Sequence, residues 1–236
     1  MKIGLIGAMN EEISAFLKVM ENSKKIRWGK IDFYEGSIEN QKVVMACSGI
    51  GKVNAAACVQ MMADRFAIDA LIFTGIAGGL DPRLNVGDVV ISEDAVQYDF
   101  DSSQFGYDVG MVPRLWKKYF YGDRALIVLF RKAAEVVFKE DPKTQAVIGR
   151  VLSGDSFVSS AGKAEFLRKN FQGHCVEMEG AAAAQICYLN NIPFVIIRSI
   201  SDRADQSAQV DYKTFTSLAV YNSTVLVKEV FKGLDS

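Results

Sequence analysis

Two carboxylates, Glu177 and Glu179, flank Met178 where the extended run Cys175-Val176 gives way to the alanine-rich stretch Ala181 to Ala184. A second run, Phe194 to Ile200, is rich in β-branched residues and ends on Ser201 and Asp202. A strand this apolar on both faces belongs to a sheet covered by helices. Such a sheet takes its ligand beyond the carboxyl ends of its strands. Glu179 and Asp202 both follow strand ends, so they are expected to face one crevice. A third carboxylate comes from the start of the chain. Lys2 to Gly7 reads as a strand, Gly7-Ala8-Met9 as a tight turn, and Asn10 as the cap of a helix running to about Glu21. That helix would carry Ile13, Phe16, Leu17 and Met20 on one face. Glu11 and Glu12 fall in its first turn, where the helix dipole favours anionic carboxylates. Glu11 reads as an ordinary first-turn acid, whereas Glu12 opens on the crevice side. Carboxyl groups held in a buried cluster have raised pKa values and can divide acid and base work.

The elements that must position these groups follow in order. Residues 26–48 read as a meander, Ile26 to Trp28, Ile31 to Ile38 and Lys42 to Cys47. Ser48-Gly49-Ile50-Gly51-Lys52 leads into a helix from about Val53 to Phe66; its spacing is not that of a phosphate-binding P-loop, and Lys52 reads as a solvated helix-start lysine. Asp69 to Thr74 is a buried strand running into Gly75-Ile76-Ala77-Gly78-Gly79-Leu80. Three glycines there either let a ligand approach the backbone or make a plain tight turn. Val89 to Glu93 is a further strand. Residues 98–121 hold eight aromatics, Tyr98, Phe100, Phe105, Tyr107, Trp116, Tyr119, Phe120 and Tyr121, without a clean period. Such a segment suits a binding wall or a subunit contact. A helix from about Arg124 to Lys139 is broken at Pro142. Ala146 to Leu152 reads as a strand, Phe157 is placed to stack on a flat ligand, and short and long helices follow over 163–170 and 211–232.

The chain has 236 residues, 50% hydrophobic and 23% charged, with formal net charge -1. That fits one α/β domain spanning 1–236 with a full core. Near-neutral charge gives no electrostatic basis for nucleic acid or anionic membrane partners. Ile3 to Met9 is too short for a signal-peptide core, and no run approaches a membrane span, so the expected location is the cytoplasm. Cys47, Cys58, Cys175 and Cys187 form no C-x-x-C pair, and His174 is the only histidine. Neither a disulfide framework nor a zinc site is expected, and the cysteines read as small buried hydrophobes.

Taken together, these residues resemble the 5′-methylthioadenosine/S-adenosylhomocysteine nucleosidases of the purine nucleoside phosphorylase superfamily. The resemblance is carried by I-G-A-M-N-E-E at 6–12, S-G-I-G-K-V at 48–53, T-G-I-A-G-G at 74–79 and V-G-D-V-V at 86–90. F-G-Y at 105–107, S-G-D at 153–155, V-E-M-E at 176–179 and S-I-S-D at 199–202 complete it over essentially the whole length. The resemblance implies a mixed central sheet closing towards a barrel and surrounded by helices. It implies hydrolysis of the N-glycosidic bond between adenine and a 5-thioribose, with no metal or organic cofactor, in the setting of methionine salvage. It casts Glu12 as the base that activates water, with Arg198 beside it to favour the ionised form. Asp202 is cast as the acid at adenine N7, supported by Ser201. Met178 and Glu179 become ribose contacts, Phe157 and Val158 the purine wall and backbone, and Ala77 and Gly78 further substrate contacts. Met9, Ile50 and Tyr212 would line the ribose and alkylthio end, and Phe105 would reach the site of the other subunit in a homodimer.

There are departures from the pattern. Ile76 stands where several relatives carry serine, Asn10 where some carry an acid, and Tyr212 where phenylalanine is expected. A nucleoside phosphorylase, a futalosine-type nucleosidase and a non-catalytic nucleoside-binding protein are the alternative readings. A phosphorylase needs a cationic phosphate site, and the chain start offers Glu11 and Glu12 instead.

Overall fold

The computed structural model describes residues 1–141, 143–205 and 208–234, so the expected helix breaker Pro142 lies outside the described residues. β1 (Lys2–Gly7) leads into α1 (Asn10–Leu17) and a meander of β2 (Glu21–Trp28), β3 (Ile31–Ile38) and β4 (Gln41–Cys47). α2 (Lys52–Phe66), β5 (Ala70–Gly79) and β6 (Val89–Gln97) follow. The aromatic segment ends in β7 (Phe120–Tyr121), and α3 (Arg124–Val137), β8 (Ala146–Ser153) and α4 (Ala161–Phe171) follow. β9 (Cys175–Glu177), α5 (Gly180–Asn190), β10 (Phe194–Asp202) and α6 (Ala208–Gly233) end the described chain.

β5, β10, β6, β8 and β9 pair in a closed ring, because β10 bonds both β6 and β5 while β9 bonds both β8 and β5. The ring mixes directions: β10 runs parallel to β5 and antiparallel to β6. From β5 the sheet continues outward through β1, β4, β3 and β2. This is the mixed, barrel-like sheet that the sequence resemblance implied.

β5 and β10 are buried along their whole lengths, which leaves their alternate side chains facing two separate cores. On one side Leu71, Phe73 and Ile196 pack with Met62 of α2 and Ala184 and Cys187 of α5. On the other, Ile72, Val195 and Ile197 pack with Ile13 of α1, Phe130 of α3 and Phe231 of α6. A third cluster holds Leu167 and Phe171 of α4 against Leu152 and Val96. Each fully buried side chain of this size contributes roughly 1.5–3 kcal/mol.

Several sequence expectations are corrected here. α1 ends at Leu17 rather than near Glu21, and Met9, not Asn10, is its capping position. Residues from Glu21 on are drawn into β2 by pairing with β3, Glu21 against Ser37 and Lys24 against Glu35. Gly75 to Gly79 form no turn: they are the end of β5, in extended register with Arg198 to Asp202 of β10. Their glycines serve close approach instead. A Cβ at Gly75 would sit 2.6 Å from the Glu12 carboxylate, and one at Gly78 would sit 3.0 Å from that of Asp202. Lys52 is not a solvated lysine, since its Nζ lies 2.6 Å from Asp99. Of the eight aromatics in 98–121, Tyr98 and Phe120 are core residues, while Phe105, Trp116 and Tyr121 remain exposed. The cysteines are unpaired, and all but the half-buried Cys47 lie inside the protein.

Candidate active site

One pocket collects residues from the ends of six strands. It is lined by Ala8, Met9 and Glu12 after β1, by Ile50 before α2, by Ile76 and Ala77 of β5, and by Phe157 after β8. Val176 to Glu179, Ser201, Asp202 and Tyr212 complete the lining. Glu12, Glu179 and Asp202, the three carboxylates singled out from the sequence, therefore meet in one place. Met9, Ile50, Ala77, Phe157, Met178, Ser201 and Tyr212 join them as expected. Ala8, Ile76, Val176 and Glu177 belong to the lining without having been assigned a role from the sequence.

Glu12 is held by backbone amides. Its Oε2 accepts from the N–H groups of Ala8 at 2.7 Å and Met9 at 2.9 Å, and its Oε1 accepts from Ile76 at 3.1 Å. The Ile76 contact uses the main chain, so the missing serine hydroxyl at this position does not disturb it. Burial holds the Glu12 pKa above the ordinary glutamate value, against the opposing pull of Arg198 and the three amides. Arg198 favours the ionised form of Glu12, as expected from the sequence, but burial outweighs it. Arg198 is only 1% exposed and lies outside the lining. Its Nη2 pairs with Glu177 Oε2 at 2.7 Å, while its Nη1 donates to the carbonyls of Phe73 and Ile197.

Asp202 reaches the pocket through a β-bulge. Ile200 pairs with Ala77 and Asp202 with Gly78, so Ser201 is an extra residue in β10. A bulge breaks the strict alternation of side chains, and both Ser201 and Asp202 line the pocket. Ser201 Oγ donates to Asp202 Oδ2 at 2.8 Å, and the Ala204 amide donates to Oδ1 at 2.8 Å. Burial nevertheless raises the Asp202 pKa above its usual value; the two hydrogen bonds act the other way. A buried carboxyl of raised pKa is suited to donate a proton near neutral pH.

Glu179 is the capping residue of α5, and its Oε1 accepts from the Gly51 amide at 2.8 Å. Gly51 has φ of 100°, a left-handed conformation that a side chain would strain. Burial, followed by the neighbouring charge of Glu177, pushes the Glu179 pKa up to about 8. Tyr212 Oη donates to Met9 Sδ at 3.1 Å, and its ring meets Phe157 edge-on at 5.9 Å. Gly78 backs Asp202 and Ala204 rather than the pocket itself, and Val158 is buried beside Leu80 and Tyr98. Phe105 stands 84% exposed outside the lining. Among the described residues no group of three or more His, Cys, Asp or Glu side chains could hold a metal ion.

The raised Glu179 pKa has a consequence for stability. The folded state holds this proton more tightly than the unfolded chain, where the value is near 4.5. Folding stability from this group is therefore fully present below about 4.5 and is lost as pH rises towards about 8. Glu179→Gln removes that loss. Its melting temperature relative to the native protein is expected to be higher near pH 8 than near pH 5, as read by thermal denaturation. An identical difference at both pH values would contradict this.

Comparisons with known proteins place the chain in a family. Residues 2–232 match the family model described as Phosphorylase superfamily. A 5′-methylthioadenosine/S-adenosylhomocysteine nucleosidase of Psychromonas ingrahamii is 39% identical over 236 residues, covering 100% of both chains. The crystal structure of such a nucleosidase from Neisseria meningitidis, in complex with methylthio-immucillin-A, is 40% identical, with a TM-score of 0.93 and 99% of each chain covered. A futalosine hydrolase of Helicobacter pylori is 31% identical with a TM-score of 0.91, covering 99% of this chain and 98% of that one. With the ring, the bulge and the three converging carboxylates all in place, the chain belongs to the phosphorylase superfamily and, within it, to the 5′-methylthioadenosine/S-adenosylhomocysteine nucleosidases.

Proposed function

We propose that the chain hydrolyses the N-glycosidic bond of 5′-methylthioadenosine and S-adenosylhomocysteine, releasing adenine and the 5-thioribose product. The observation that carries this reading is the charge of the pocket. Among the described residues its lining holds four carboxylates, Glu12, Glu177, Glu179 and Asp202, and neither lysine nor arginine. Cleavage builds positive charge on the ribose, which carboxylates stabilise, and that interaction strengthens in the transition state. Glycosidic hydrolysis generally divides the work between one protonated and one ionised carboxyl group. Asp202 is the acid at adenine N7, since burial raises its pKa and the Ser201 hydroxyl holds its orientation. Glu12 is the base for water, in its ionised form, fixed by three amide donors. Those same donors would cradle an anion in a phosphorolytic site, but here the Glu12 carboxylate already occupies them. Glu179 binds the ribose hydroxyls, with Met178 beside it. Phe157, 45% exposed at the mouth, stacks on the purine.

The tail of the substrate lies towards Met9, Ile50 and Tyr212, a mostly apolar end suited to an alkylthio group. The likeness to the futalosine hydrolase makes a futalosine-type nucleoside the second substrate to assay. The chain acts as one domain, in the cytoplasm and in methionine salvage, without a nucleic acid partner. No helix among the described residues is long and apolar enough to cross a membrane.

Asp202→Asn keeps the shape of the side chain but cannot donate a carboxylic proton. Its turnover of 5′-methylthioadenosine is expected to fall about 10²–10⁴-fold, with substrate binding partly retained. Adenine release measured beside a panel of purine nucleosides checks both points, and near-normal turnover would remove Asp202 from its role.

The chain works as a homodimer in which Phe105, 84% exposed here, closes the alkylthio end of the partner's site. Exposed Trp116 and Tyr121 on the same segment support a contact of this kind. Mixed dimers of Glu12→Gln and Phe105→Ala chains then hold one doubly defective site and one native site. They are expected to recover about half of native activity, given the two-fold arrangement, once Phe105→Ala alone is shown to lower it. Activity at only the mean of the two mutants would return Phe105 to its own chain's site.

A further inference from the structure

Glu177 lines the pocket but takes no part in the proposed chemistry. Its surroundings are unusual for a residue placed before a helix. The first amides of a helix have no partners within it, and the side chain of the capping residue commonly supplies one. The capping residue of α5 is Glu179, and its side chain makes no such bond. The amides are satisfied from outside the helix instead. Glu177 Oε2 accepts from the Glu179 amide at 3.2 Å and the Gly180 amide at 2.8 Å. Its Oε1 accepts a second contact from Gly180 at 3.0 Å. The Ala181 amide donates to Ser153 Oγ at 2.7 Å, and that hydroxyl in turn donates to Glu177 Oε1. Arg198 grips the same carboxylate through Nη2 at 2.7 Å and Nε at 3.2 Å. The glycine leaves room for this grip: a Cβ at Gly180 would sit 3.2 Å from Glu177 Oε2, a tight contact.

We propose that Glu177 is the positioning residue of the active site: it caps α5 in place of Glu179, so that the Glu179 carboxylate is left to serve the substrate. The inference rests on the proposed role of Glu179. A carboxylate that capped its own helix would bend back onto the amides of residues 181 or 182 and leave the pocket. With that duty moved to the last residue of β9, Glu179 keeps a backbone of φ −138° and ψ −43° and turns its oxygens towards Gly51 and the cavity. Ser153 and Arg198 lock Glu177 from the β8 and β10 sides, so three strands of the ring fix one catalytic carboxylate. Arg198, expected from the sequence to stand beside Glu12, works through Glu177.

The test is a double-mutant cycle on adenine release from 5′-methylthioadenosine. Glu177→Gln preserves volume but places an amide NH2 where an oxygen must accept hydrogen bonds from amides or the guanidinium. Displacements on the order of 1 Å can cost about 10²-fold, and a loss of that order in kcat/KM is expected. The loss should fall on kcat, because the contact it disturbs strengthens as charge builds on the ribose. In a Glu179→Gln background the same substitution should cost less than about twofold, the scatter expected of uncoupled sites. Equal losses in both backgrounds would overturn the proposal, since Glu177 would then act independently of Glu179. A loss confined to KM would overturn it as well. If Glu179→Gln alone leaves catalysis unchanged, the reading of Glu179 as a substrate contact fails and the proposal falls with it, an outcome distinct from equal losses. Should Glu177→Gln not yield folded protein, Ser153→Ala enters the same cycle with the same criteria. It leaves the ion pair in place and removes only the hydroxyl that joins Glu177 to Ala181.

Discussion

A guanidinium and a carboxylate, Arg198 and Glu177, are paired at 2.7 Å with side-chain exposures of 1% and 3%. Taking two such charges out of water costs several kcal/mol per ion. The cost is offset only when the remaining donors and acceptors are also satisfied. Here they are, by the carbonyls of Phe73 and Ile197 on one side and by the amides at the start of α5 on the other. Removing either partner would leave an uncompensated buried charge, which typically costs about 3–5 kcal/mol. The pair joins β9, β10 and the carbonyl of a β5 residue, so it ties together the part of the ring from which the active-site carboxylates project.

The electrostatics of the pocket follow from that pairing. With Arg198 engaged by Glu177, its pull on Glu12 and Glu179 is outweighed by their burial. Burial raises Glu12, Glu179 and Asp202 alike. An enzyme that breaks a glycosidic bond needs a carboxyl group that keeps its proton near neutral pH, and a crowded, buried set of carboxylates provides one. It needs an ionised base as well, and Glu12 has three amide donors and the more distant Arg198 to favour that form. The nucleosidase reaction thus draws on one feature of the fold, the crowding of acids at strand ends. The glycines of β5 make that crowding possible, because a side chain at Gly75 or Gly78 would displace Glu12 or Asp202.

The sequence made some of this legible for identifiable reasons. Asp202 could be placed because a β-branched run ends on it, and Glu179 because an extended run gives way there to an alanine-rich helix. Glu12 could be placed because a strand, a short turn and an acidic first turn follow one another within twelve residues. These are local signals. The partner of Arg198 was hidden because Glu177 lies 21 residues away and meets it only through the closure of the ring. Lys52 and Asp99, 47 residues apart, were hidden for the same reason. The run Gly75 to Gly79 misled in the opposite direction. Glycines after an apolar run read either as a turn or as a place for a ligand to approach, whereas Gly75 and Gly78 make room in a fully buried strand for the carboxylates of Glu12 and Asp202. The bulge at Ser201 left no local mark, since serine is as ordinary in a regular strand as in a bulge.

The central claim is that a pocket of carboxylates, with its amide cradle filled by Glu12, delivers water and not phosphate to the sugar. The most direct measurement is adenine release from 5′-methylthioadenosine across a phosphate series starting from none, with the sugar product identified by mass. The account predicts an unchanged rate and free 5-methylthioribose throughout. A rate that climbs with phosphate, or a sugar 1-phosphate among the products, would contradict it.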